Sequence, residues 1–67
     1  MEYTQLSADE QRAMLERRIR LYEEQHFDAN QNLRALRATG GDETTIAVLE
    51  KQLGDLETCI ELIKEDL

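Results

Sequence analysis

The chain has no proline and no tryptophan, one cysteine, one histidine and three glycines among its 67 residues. One cysteine excludes an internal disulfide, and with a single histidine there is no cluster to hold a structural metal. Both usual reinforcements of a small domain are therefore absent. No segment approaches the roughly 18 consecutive apolar residues of a membrane span. The opening MEYTQLSADE has neither the basic segment nor the apolar core of a secretory leader, so a soluble, intracellular chain is expected. There is no glycine-rich phosphate loop and no Ser/His/Asp set, so no enzyme, no cofactor and no metal is expected either.

Positive charge is also scarce. Net charge is −7, unevenly spread: residues 8–39 hold six acids and six arginines, and residues 42–67 hold eight acids against Lys51 and Lys64. An acidic second half argues against nucleic acid or an anionic membrane as the principal partner. The segment ERRIR places Arg17, Arg18 and Arg20 close together, but at heptad positions that fan around a helix. Glu16, Arg20 and Glu24 follow at i,i+4 spacing, where opposite charges compensate locally.

What the chain does have is heptad periodicity. Ile46, Leu49, Leu53, Leu56, Ile60, Ile63 and Leu67 recur at alternating steps of three and four, and Leu15, Ile19, Tyr22, His26, Ala29, Leu33 and Leu36 repeat that stepping in a weaker stripe. Between the stripes stands Gly40-Gly41, where one glycine can take the left-handed conformation that closes a helix, and Asp42 or Thr44 can cap the next. Ser7 to Glu10 match the S-x-x-E capping box. The spacing predicts one domain over residues 1–67: a helix at about 8–39, a turn at 40–42 and a helix at about 43–66.

Folding back at the glycines pairs Leu36 with Ile46, Leu33 with Leu49, Ala29 with Leu53, His26 with Leu56, Tyr22 with Ile60, Ile19 with Ile63, and Leu15 with Leu67. Every pair joins an a position to a d position, as an antiparallel pair requires. The fold class is therefore all-α, an antiparallel two-helix hairpin of coiled-coil type. A chain of this size removes only about 60% of its unfolded surface from water. Completion by a partner chain or by self-association is expected.

The remaining faces then become candidates for function. The c and g positions of both helices place Met14, Leu21, Ala35, Val48, Cys59 and Leu62 on one flank with Arg18, Gln25 and Gln52 around them, a surface suited to a third helix. Met14, Arg18, Leu21, Gln25, Val48, Gln52, Cys59 and Leu62 are the candidate partner-binding residues. The alternative is that scattered apolar surface residues have no role. The opposite flank carries mainly Glu16, Glu23, Asn30, Arg37, Glu50, Glu57, Glu61 and Lys64, a solvated face, with Phe27 expected to lie over Gly54.

His26 is expected in the seam, bonded to a neighbour. Glu23 and His26 have the E-x-x-H spacing of di-iron carboxylate bundles, but that site needs a second copy and further inward carboxylates, and the facing layer is leucine. Cys59 has no histidine near it in this register and reads as a packing or interface residue.

The pattern resembles the small co-chaperones of the type III secretion needle subunit, the YscE-like proteins. The similarity covers nearly the whole chain and is strongest over GGDETTIAVLEKQLGDLETCIELI. There Gly40-Gly41-Asp42 looks like the family's inter-helix turn, and Val48, Leu56-Glu57, Ile60 and Ile63 fall where the family carries similar residues. Thr4 to Leu6 is also similar. The resemblance implies a bacterial cytoplasmic protein that binds and stabilises a tetratricopeptide-like helical-repeat chaperone, largely through that chaperone's first helices. Through it, the needle subunit stays unpolymerised until export. A homodimeric four-helix-bundle adaptor or regulatory protein, using the same flank against itself, is the alternative.

Overall fold

The computed structural model describes residues 5–67; Thr4, part of the Thr4 to Leu6 similarity, lies outside the described residues. Two helices, α1 (Ala8–Ala38) and α2 (Glu43–Glu65), pack against each other with no strand among the described residues. The α1 start follows from its capping box. Ser7 Oγ accepts from the Glu10 backbone N–H at 3.1 Å, and Glu10 Oε1 accepts from the Ser7 N–H at 3.0 Å. The backbone and side-chain hydrogen bonds from Ser7 hold the Glu10 carboxyl below its ordinary pKa. A carboxyl held low stabilises the helix start above its unfolded pKa, so that support is lost as pH falls below the ordinary carboxylate range.

The turn assigns one role to each glycine. Gly40 takes the left-handed conformation, with φ +71°, and the Gly41 N–H donates to Leu36 O at 2.7 Å, the six-to-one bond of a Schellman closure. Gly41 is required for space, because a Cβ there would stand 2.7 Å from Leu36 Cδ2 and 3.0 Å from Leu36 Cβ. Asp42 then caps α2, its Oδ2 accepting from the Thr45 N–H at 3.3 Å.

Ala29, Leu33 and Leu53 form the buried centre, with Ile46 and Leu49 packed against it, and Leu56 and Ile60 are buried farther along α2. Leu15, Ile19, Tyr22, His26, Leu36 and Ile63 are half-buried, so the stripes read from the sequence are the stripes that meet. Leu67 is the exception. The Asp66 and Leu67 N–H groups donate to Ile63 O and Lys64 O, three residues back. Leu67, past the end of α2, is 46% exposed. α1 has 31 residues against 23 in α2, and residues 8–14 of α1 are exposed throughout.

The third glycine differs from the other two. Gly54 is inside α2, and a Cβ there would meet nothing within 4 Å. Gly54→Ala is therefore expected to stabilise the hairpin by about 0.8–1 kcal/mol through helix propensity, whereas Gly40→Ala is expected to cost about 1–2 kcal/mol at its left-handed backbone. Thermal unfolding followed by circular dichroism reads both. Equal effects of the two substitutions would contradict the assigned turn.

Candidate functional site

The hairpin's two flanks differ in how they are used. Among the described residues, both polar side-chain contacts that cross between the helices lie on the e side. His26 Nε2–H donates to Glu57 Oε2 at 3.0 Å, and Arg37 donates through a terminal guanidinium nitrogen to Glu50 Oε2 at 2.7 Å. Arg37 and Glu50 are both e positions, the pairing expected across one edge of an antiparallel seam. Both contacts are exposed, and a depression lined by Glu23, His26, Gly54, Glu57 and Glu61 lies on the same edge.

His26 is placed by the same edge. Its ring is half-buried with Glu57 as its partner, and Leu56, the residue before that partner, is buried. No group of three or more His, Cys, Asp or Glu side chains among the described residues is arranged to hold a metal ion. His26→Leu would replace a polar ring in an apolar stripe, forfeiting an exposed contact worth about 0–1 kcal/mol for burial worth about 1.5–3 kcal/mol when complete. A rise in melting temperature is expected; a fall would mean that the His26–Glu57 contact contributes more to the fold than the layer does.

Phe27 corrects the sequence reading. It is 62% exposed, and the open space over Gly54 shows that no ring covers that glycine. Both residues are b positions, which point away from the seam on the outer side of each helix, and the e residues stand between them. Phe27 instead lies beside Arg20, Glu23, Glu24 and Asp28 on the outside of α1.

The c and g flank is the one that exposes large apolar side chains. Seven large apolar side chains are exposed among the described residues, and four of them, Met14, Leu21, Val48 and Leu62, occupy the single heptad position c. Leu21 is 51%, Val48 61% and Leu62 56% exposed. A shallow depression on this side of α2 runs from Val48 past Gln52 and Asp55 to Cys59, and another at the open end of the hairpin draws Met14 and Arg18 from α1 and Asp66 from beyond α2. Cys59 is a half-buried free thiol. No cross-helix hydrogen bond or ion pair spans this edge among the described residues, in contrast to the other.

No family model, no curated protein sequence and no solved structure matches this chain. Arg18 and Gln25 are exposed α1 side chains at g positions, and Gln52 is their counterpart on α2. Asp28 and Asp55, absent from the candidate residues above, share the c position with Leu21 and Val48. The heptad lettering alone would have found them, but an acid on an acidic protein does not stand out until its neighbours on the face are known. Among the described residues, no helix is long and apolar enough to cross a membrane.

Proposed function

We propose that this hairpin is a non-enzymatic co-chaperone: it binds a larger helical-repeat chaperone through its c and g flank and stabilises it, and the pair keeps a polymerising needle subunit of a type III secretion system monomeric in the bacterial cytoplasm. The observation that carries the docking part is the alignment of Met14, Leu21, Val48 and Leu62 at one heptad position, all exposed, on the edge without cross-helix polar contacts. Four large apolar side chains exposed at one heptad position are what a helix face covered by another surface carries. The secretion part rests on the resemblance of the Gly40-Gly41-Asp42 turn and the second stripe to the YscE-like co-chaperones.

The role also suits the energetics. The buried centre is small, no disulfide is available, and a third helix would add burial that two helices cannot supply to each other. The test is a tagged pull-down from the native host under conditions that express secretion genes, with intact-mass analysis of the eluate. A helical-repeat chaperone with a small needle-like subunit is expected; recovery of the chain alone as a dimer would favour the self-associating four-helix bundle instead.

A further inference from the structure

Phe27 takes no part in the seam. It stands at a b position of α1, is 62% exposed and covers nothing on α2. Residues b and c are about 100° apart around a helix of 3.6 residues per turn, so the ring also points away from the c row that carries Leu21.

What surrounds the ring is charged. A helical side chain leans toward the helix N-terminus, over the turn before its own Cα, and the turn before Phe27 carries Glu23 and Glu24. The depression beside the ring is lined by these two together with Arg20 and Asp28. Arg20 Nε donates to Glu24 Oε1 at 3.3 Å, so the one cation of the lining engages one of its three carboxylates. Glu23 and Asp28 have no ion pair among the described residues.

An exposed ring beside unpaired carboxylates offers two attractions to one kind of group. The negative face of the ring attracts a cation placed above it, and a carboxylate accepts charge-assisted hydrogen bonds from the same cation. A guanidinium suits both, because it is planar, stacks on aromatic faces and donates through a fork, whereas an ammonium is a compact and more strongly hydrated charge. Arg20, Glu23, Glu24, Phe27 and Asp28 all belong to α1, so one short segment can reach them without bridging the two helices. The net charge of −7 opposes a second copy of this chain as the occupant and favours a basic protein.

We infer that Phe27 is a second docking point of the hairpin, taking an arginine of a basic protein partner that stacks on the ring and is held by Glu23 and Asp28. None of the candidate partner-binding residues belongs to this face, so it stands apart from the docking of a helix at Leu21.

Phe27 is the chain's only phenylalanine, so replacing phenylalanine throughout by a fluorinated analogue alters position 27 alone. The probe is nona-arginine, with nona-lysine as its charge match, both at low ionic strength. With monofluorophenylalanine at position 27, nona-arginine is expected to give a saturable shift of the single fluorine NMR resonance. A resonance that stays unmoved up to millimolar probe overturns the inference.

Fluorine withdraws electron density from the ring face while making the ring more apolar. Affinity for nona-arginine is therefore expected to fall stepwise from phenylalanine through its mono-, di- and trifluoro forms, by about two- to fivefold in all. Affinity that holds level or rises along the series shows apolar contact alone and overturns the arginine assignment.

Phe27→Leu keeps an apolar side chain and removes the ring. It is expected to bring nona-arginine down to the affinity of nona-lysine, and an arginine preference equal to that of wild type overturns the inference. Glu23→Gln/Asp28→Asn is expected to weaken nona-arginine binding more than Glu43→Gln/Glu65→Gln, which removes the same charge from the two ends of α2. Equal losses would show general attraction to an acidic chain and also overturn it. Circular dichroism verifies that each variant keeps wild-type helicity, as expected for side chains exposed on the outside of the helices.

Discussion

Leu33→Ala is expected to abolish the helical circular dichroism of the isolated hairpin near room temperature. Leu33 is only 3% exposed and sits between Ala29 and Leu53 at the buried centre. Truncating a buried leucine costs about 2–5 kcal/mol, while a chain of this length has on the order of 3–10 kcal/mol of total stability at about 0.05–0.15 per residue. A two-helix hairpin with five buried apolar residues belongs toward the lower end of that range. Phe27→Ala removes a larger side chain from α1, yet is expected to shift stability by no more than about 0.5 kcal/mol, because Phe27 packs on nothing across the hairpin. Comparable losses from the two substitutions would mean that the seam does not hold the fold.

Leu21→Asp is expected to have the opposite signature, leaving the helices in place and removing partner capture. Leu21 is exposed on the c and g flank, so an aspartate there costs the monomer only helix propensity, about 0.5 kcal/mol. Against a docked helix it removes apolar burial and leaves a charge facing an apolar surface. A central residue of this kind costs about 2–4 kcal/mol on truncation, which is a loss of roughly 30-fold to 1,000-fold in affinity. The matched control is Glu61→Ala on the solvated side of α2, expected to leave capture unchanged. Capture that survives Leu21→Asp at full strength, with helicity intact, would remove the c and g flank from the interface.

Most of the fold was legible because its determinants are local. Ser7 and Glu10 announce a helix start within one turn, Gly40-Gly41-Asp42 announces an end and a start together, and the alternating steps of α2 name the seam without reference to α1. The same locality explains what was missed. Pairing Phe27 with Gly54 used distance along the hairpin and ignored direction around each helix, and two b positions at one level point apart. Leu67 continues the spacing of the stripe but lies past the end of α2 and is exposed.

The candidate site was legible in part. Met14, Leu21, Val48 and Leu62 stand out because apolar residues at a position away from the seam break the pattern of a solvated helix. Asp28 and Asp55 do not, since acids at exposed positions are what an acidic chain shows everywhere. His26 reads as a seam residue from spacing alone, and only the structure names Glu57 as its partner.

The most direct test of the claim that a partner covers this flank uses the chain's only thiol. Cys59 lies at a g position between Val48 and Leu62, half-buried and free. Alkylation followed by intact mass is compared between the isolated hairpin and the hairpin purified with its captured partner. A Cys59→Ser/Glu61→Cys variant carries the thiol to the solvated side. The expected result is that Cys59 reacts in the isolated chain and is protected in the complex, while the thiol at position 61 reacts in both. Equal reactivity of Cys59 in the two states, with the partner still bound, would show that the flank is not where the partner docks.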